Sequence, residues 1–227
     1  VTFGELKTEV LREAGENPAL PRFWTATEAG NAINRAQSVA AWLTLCFEAD
    51  GTLAHPGGFT AVAPGATFAD WILPLRVRVS GLRLMPGSFE QFRAENPLWP
   101  SLPSGVARYA MEGWNQMWVY PRPAAAITLE VRRARSPIVM TLDANVPELA
   151  GEYHGALVDY AVFALRAKEG ASEFAKVLPR LRRFLEAMAS LAGQVRRRAI
   201  AQNYDVLPSE SFVESLENPQ WLSTAAK

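Results

Sequence analysis

The side chains able to do chemistry are few: two histidines and one cysteine stand among 23 acidic and 23 basic residues. His154 lies in "EYHGALVDY", close in sequence to Glu152 and Asp159. A dimetal helical bundle places its ligands as Glu-x-x-His, one helical turn apart, but Gly151 stands three residues before His154. His154 therefore reads as a surface or capping residue. An enzyme of unrecognised type would need His154, Glu152 and Asp159 to converge on a metal. His55 sits in "HPGGFTAVAPG", which has neither a phosphate-cradling nor a dinucleotide-binding glycine pattern and reads as a mobile surface loop. Cys46, between Leu45 and Phe47, reads as a small core residue rather than a nucleophile. No catalytic residue, metal ligand or cofactor site is assigned, and no cofactor is expected.

Aromatic and basic groups give the binding candidates. Trp71, Trp99, Trp114 and Trp118 suit a sugar or base platform, but also the apolar face and borders of a sheet, which is the reading preferred. Arg180, Arg182, Arg183, Arg196, Arg197 and Arg198 load one helical segment, with Lys176, Arg180 and Arg183 on a face away from Phe184 and Met188. Such a face is usually only solvated; otherwise Arg180, Arg183, Arg197 and Arg198 are the candidates for contact with an acidic protein partner or, after that, DNA phosphates.

The elements that position these groups follow from periodicity. Thr2 with Glu5, and Thr25 with Glu28, have capping-box spacing. Behind them apolar residues step by three and four, giving one helix to about Gly15 and a longer one to about Glu48. From Leu75 the period becomes two: Leu75, Val77 and Val79 alternate with Arg76, Arg78 and Ser80 before a turn at Gly81. "VARYAMEGWNQMWVYP" reads as a hairpin turning near Gly113-Trp114-Asn115, and "AITLEVRRA" as a further strand. About three to five short antiparallel strands are expected. A helix capped near Asn145, with Pro147 in its first turn, then carries Leu149, Tyr153, Leu157 and Leu165. The last helix carries Phe174 to Val195 on one face, with a kink or fresh start at Pro179.

The predicted fold is α+β: a bundle of about four helices with an inserted small antiparallel β-sheet domain and an extended C-terminal tail. The predicted parts are N-terminal helices 1–48, a loop and β insertion 49–142, C-terminal helices 143–203 and the tail 204–227. The equal acidic and basic counts argue against a protein whose main task is gripping nucleic acid. The single cysteine suits a reducing compartment, and no run reaches the roughly 18 apolar residues of a membrane span. A soluble protein made in the cytoplasm, with no membrane partner, is expected.

The tail poses its own question, since "YDVLPSESFVESLENPQWLSTAAK" keeps Phe212, Leu216, Trp221 and Leu222 beyond the helices. Burying them would supply roughly 6–12 kcal/mol, against roughly 1–2 kcal/mol per ordered residue. Four anchors alone cannot fix such a tail, so it should be loose in isolation.

"VRVSGLRLMPGSFEQFRAENPLWP", "GVARYAMEGWNQMWVYPRPAAAITLEVRRARSPIVM" and "VPELAGEYHGALVDYAVFALRAKEG" together resemble the head-to-tail adaptor (connector) proteins of tailed bacteriophages. Members show an alternating strand ending in a Gly turn (here Val77, Val79, Gly81, Leu84 and Pro86) and a Trp-Pro segment (Trp99, Pro100). A hairpin closing on Pro-x-Pro follows (Pro121, Pro123), then a helix opened by proline (Pro147, Tyr153, His154, Tyr160). The resemblance spans roughly Leu75 to Gln202. It implies a non-enzymatic virion subunit of the neck, assembled from host cytoplasm as a homo-oligomeric ring, commonly of twelve copies. Such a ring sits beneath the portal protein, extends the DNA channel used in ejection, lets genomic DNA pass without specific binding, and offers a platform for tail or nozzle proteins. It further implies that Phe212, Leu216, Trp221 and Leu222 anchor the tail on the portal or a neighbouring subunit. The alternative, from the residues themselves, is a DNA-binding accessory protein using the arginine-rich last helix.

Overall fold

Both expected capping boxes form. In this computed structural model, which describes residues 1–95, 97–98 and 105–219, Thr2 Oγ1 accepts from Glu5 N–H at 3.3 Å and Glu5 Oε2 accepts from Thr2 N–H at 2.7 Å. Thr25 and Glu28 repeat the exchange at 3.2 and 3.0 Å. Each pair satisfies N–H groups that a helix start leaves without partners. They open α1 (Phe3–Glu13) and α2 (Ala26–Thr44). The second helix stops short of the expected Glu48, because Leu45 turns left-handed at φ 56° and Glu48 already begins strand β1 (Glu48–His55).

The chain divides into two units. One is helical: Val1–Cys46, Pro137–Arg197 and the described residues from Pro208 onward. The other, Phe47–Ser136 with Arg198–Leu207, holds the strands. These bounds differ from the expected insertion 49–142, helices 143–203 and tail 204–227.

In the helical unit, Phe3, Leu6 and Val10 of α1 pack in one buried cluster with Ile33 of α2 and with Val158, Val162 and Leu165. The last three lie on the helix opened by a 3-10 turn at Gly151–Tyr153. That helix spans His154–Arg166, later than predicted. Pro147 is not in its first turn, and Asn145 does not cap it. Instead Asn145 Oδ1 accepts from Thr141 N–H at 2.9 Å and Leu142 N–H at 2.8 Å. The Asn145 and Asp143 carbonyls accept from Phe3 and Gly4 N–H at 2.7 and 3.0 Å. The loop's acceptors thus complete the first turn of α1 rather than a helix of their own. The long arginine-rich helix, Ala171–Ala201, is continuous through Pro179, so no fresh start occurs there. Val177, Leu178, Leu181 and Phe184 are buried on both sides of the proline, and that burial offsets the backbone bond a proline removes.

In the other unit β1 leads to a short helix α3 (Pro64–Thr67) and to β2 (Trp71–Val79). β3 (Leu82–Arg83), β4 (Met85–Pro86) and helix α4 (Phe89–Glu95) follow. β5 (Arg108–Glu112), β6 (Gln116–Tyr120) and β7 (Ile127–Arg135) complete it. Numbered on, the two long helices described above are α5 (His154–Arg166) and α6 (Ala171–Ala201). The described strands number seven, more than expected. They form one sheet ordered β1-β7-β2-β3 and a second ordered β4-β5-β6. The first is antiparallel throughout, but β4 pairs parallel to β5, so the unit is not purely antiparallel.

The alternation from Leu75 has the expected register: Val77 lies opposite Val131 and Val79 opposite Leu129. Val77 and Leu129 have no exposed surface. With Leu53 and Val131 they pack against Tyr109, Met117 and Val119 of the second sheet. The predicted hairpin joins β5 to β6, Glu112 facing Gln116 across Gly113 at φ 63°. The β2–β3 turn puts both Ser80 (φ 49°) and Gly81 (φ 78°) in the left-handed region, as a tight two-residue hairpin requires.

The segment after α6 is not extended as predicted. Tyr204 is buried, and α7 (Glu210–Glu217) opens on Ser209, whose hydroxyl accepts from Phe212 N–H at 3.1 Å.

Candidate interaction surfaces

The potential catalytic groups are built into the scaffold. His154 is buried, not on the surface, and its Nε2 bonds the Leu149 carbonyl at 2.9 Å, bracing the entry to α5. Asp159 is occupied by Arg180 at 3.1 Å and by the Nε–Nη2 edge of Arg183 at 2.9 and 2.5 Å. Glu152 is exposed. His154, Glu152 and Asp159 therefore do not converge, and among the described residues no group of three or more His, Cys, Asp or Glu could hold a metal ion.

His55 is buried too, and its loop is fixed by it. Its Nδ1 accepts from Gly57 N–H at 3.0 Å and its Nε2 donates to the Thr60 carbonyl at 2.9 Å. Burial lowers its pKa, and the arrangement demands the neutral ring. Of the described tryptophans, Trp71 donates to the Trp114 carbonyl at 3.0 Å and Trp118 to Glu112 at 2.8 Å. Trp118 also packs against Phe59 and Phe89, which matches the border role expected of the sheet's aromatics. Trp99 lies outside the described residues.

The arginine candidates are mostly spoken for within their own units. Arg180 reaches Glu13 at 2.6 Å as well as Asp159, and Arg183 holds Asp159. Arg198 pairs with Glu48 at 2.5 Å. Arg197 is exposed and pairs with no carboxylate among the described residues. Periodicity placed these arginines on outer faces but carried no information on which carboxylate comes opposite.

The C-terminal candidates separate. Asp205, whose side chain has no exposed surface, is paired to Arg83, accepts from Tyr109 OH at 3.0 Å, and donates its N–H to the Leu75 carbonyl at 2.7 Å. Burial first, and the Asp205 charge second, push the Tyr109 hydroxyl well above the usual phenol range. Tyr204 OH bonds Glu48 at 2.5 Å and accepts from Arg132 at 3.1 Å. Residues 204 and 205 are thus part of the β unit's own structure. Leu216 is only 6% exposed within the single chain, whereas Phe212 is half-buried. Trp221 and Leu222 lie outside the described residues.

Sequence reasoning missed the two apolar surfaces of the helical unit. The loop from Ile138 to Glu148 exposes Ile138, Val139, Leu142 and Val146 to between 58 and 69%. It is nonetheless tightly held. Glu148 accepts from Ile138 N–H and closes the loop, and Asn34 exchanges two hydrogen bonds with Met140 at 2.9 and 3.0 Å. Glu148 N–H donates to Gln37 at 3.1 Å. At the other end of α1, Leu20 and Phe23 are 75 and 66% exposed. Their loop is gathered by Glu16, whose carboxylate accepts from Arg22, Phe23 and Trp24 N–H at 3.0, 2.9 and 3.2 Å. These bonds, the Arg22 N–H first, hold the Glu16 pKa below the ordinary value. Apolar residues beside prolines, in "NPALPRFW" and "PIVMTLDANVP", were the available signal, but nothing in their period says that the backbone is pinned.

Among the described residues, no helix is long and apolar enough to cross a membrane. A family model described as "SU10 adaptor protein" matches residues 1–206, through both units. No curated protein matches the chain.

Proposed function

The chain belongs to the SU10 adaptor protein family, a phage head-to-tail adaptor family that is structural rather than catalytic, and we propose that it is a ring subunit of the neck. In this reading copies assemble, commonly twelve of them, beneath the portal protein. They extend the DNA channel and present a platform to tail components. The observation that carries the reading is the match across residues 1–206.

Three features support it. The chain has no net charge, with 23 basic and 23 acidic residues, so a channel built from it attracts passing DNA weakly. The arginines that would favour a DNA-binding accessory protein are largely neutralised by Glu13, Glu48 and Asp159. The segment beyond the family match carries an apolar Trp221-Leu222 pair that, with half-buried Phe212, suits attachment to another chain. Leu216 is already covered and is no longer an anchor in this reading.

Co-sedimentation with portal rings tests it. The full chain is expected to pellet with the rings, and a chain truncated after Pro219 to remain in the supernatant while keeping its melting temperature. Equal binding by both would remove Trp221 and Leu222 from the contact. No binding by the full chain, with a salt-sensitive shift of duplex DNA, would replace the adaptor reading by the accessory-protein one.

A further inference from the structure

The two exposed apolar loops of the helical unit stand at opposite ends of one helix. The loop from Ile138 to Glu148 receives the N–H groups of Phe3 and Gly4 at the start of α1. The loop carrying Leu20 and Phe23 follows its end, with Gly15 and Glu16 N–H donating to the carbonyls of Arg12 and Leu11 at 3.0 and 2.9 Å. Between them α1 runs for 11 residues, about 16 Å at a rise of 1.5 Å per residue. One apolar side chain of each loop, Met140 and Trp24, is buried in the core beside α1, and the exposed ones take no part in ordering the loops. Asn145, Asn34 and Glu148 hold the first, and Glu16 holds the second. Rigid loops that hold greasy side chains out in water lose little entropy when something covers them.

The most exposed charge of each loop is opposite in sign. Asp143 stands out of the first loop, its side chain 74% exposed, while its partner Lys7 is only 18% exposed, so the carboxylate is the outward member of the pair. Glu5 and Glu9 of α1, on either side of Lys7 in sequence, are exposed as well. The second loop carries exposed Arg22, with exposed Arg12 in the last turn of α1. Of the two acidic groups at that end, Glu13 is paired with Arg180, and Glu16 is half-buried, keeping its charge close to Arg22 while it binds three backbone N–H groups.

We infer that the two loops are the two halves of one subunit–subunit contact: Ile138, Val139, Leu142 and Val146 of one copy cover Leu20 and Phe23 of the next, with Asp143 facing Arg22. The inference rests on the adaptor reading and specifies the surfaces that join its copies. Two unlike patches on one chain, complementary in charge, make a head-to-tail contact that leaves one patch of each kind open. Such a contact propagates and closes as a ring when the rotation permits. A closed two-fold dimer would instead use both unlike pairs at once and leave no patch open, so it would stop at two copies. The apolar area offered is modest beside the ~800 Å² per partner of a stable interface, so the contact is weak between two free copies and strengthens when a portal holds many side by side.

Cysteine cross-linking on the full chain tests this. In a Cys46→Ser background, Val139→Cys and Leu20→Cys are made separately and together; both positions are exposed and neither side chain holds its loop. Mixed single variants treated with a short bismaleimide, with and without portal rings, are expected to form the unlike pair in at least roughly tenfold excess over either like pair, equivalent to about 1.4 kcal/mol of preference. The double variant should give a ladder beyond the dimer, and Arg22→Glu should remove most of it. Like pairs in equal yield, or no cross-link above an exposed Ser211→Cys control, overturn the contact. If rings still form on the portal in that case, the adaptor reading stands and only these surfaces fall. If no ring forms either, both fall.

Discussion

In the helical unit, Thr2, Thr25, Asn145 and Glu16 each hold one to three backbone N–H groups at a helix start or in a loop, and nearly all of these bonds lie at the surface. In the β unit, the corresponding work is done by long-range pairs that are part-buried. Arg133, 8% exposed, holds Asp70 at 2.9 Å, and Arg83 and Tyr109 hold a fully covered Asp205. The difference lies in what remains when one partner is removed. A lost cap returns an N–H group to water, whereas a lost partner in the β unit strands a charge out of water. The helical unit is therefore built to lose stability in small steps, and the β unit in large ones.

The largest expected effect is at Val77, which has no exposed surface. Val77→Asp puts a carboxylate among Leu53, Leu129 and Met117 and should cost about 4 kcal/mol or more. Amide exchange should show the strands losing protection while α1 and α2 keep theirs. An unchanged urea midpoint would mean that the inward row of β2 has been misread.

Asp205→Ala comes next, at about 3 kcal/mol, because Arg83 and Tyr109 lose their shared acceptor. Urea unfolding measures it. Truncation after Tyr204 should cost at least as much, and truncation after Pro219 nothing measurable. If both truncations leave the midpoint alone, Asp205 and Leu216 do not contribute as their burial indicates.

These effects were unequally legible in the sequence. Val77 and Leu129 declared their burial through a period of two, and Thr25 declared a helix start through Glu28 three residues on, because both signals are local. By its local pattern β1 reads as a loop, since "EADGTLAH" alternates weakly and only Leu53 and His55 are buried in it. Its eight residues are strand because β7 pairs with them from Glu48 to His55, a partner about eighty residues away that no window along the chain contains. Asn145 shows the same limit: a favoured helix cap by type, it serves Thr141, Leu142 and the start of α1 instead. The arginines looked like an exposed basic face because Glu13, Asp159 and Glu48 reach them only through the fold.

Thr25→Ala sharpens the comparison from the other side. It should lower stability by about 1 kcal/mol, read as a small shift in melting temperature with full recovery in Thr25→Ser. A loss as large as that of Asp205→Ala would erase the distinction between the units.

The smallest effect is a pH slope. His55 titrates lower in the fold than its ordinary 6.5, so the folded state takes up its proton later than the unfolded one. Its contribution is complete above pH 6.5 and fades as pH falls through the depressed folded value. The urea midpoint should therefore decline below that pH in the native chain and less in His55→Gln. Equal slopes would show that the ring is not held neutral between Gly57 and Thr60.

The adaptor account itself is tested most directly by electron microscopy of the purified chain mixed with portal rings. It predicts an added coaxial ring of density on one face of the portal, with a continuous central channel. Portal rings left bare at saturating concentrations of the chain would contradict it.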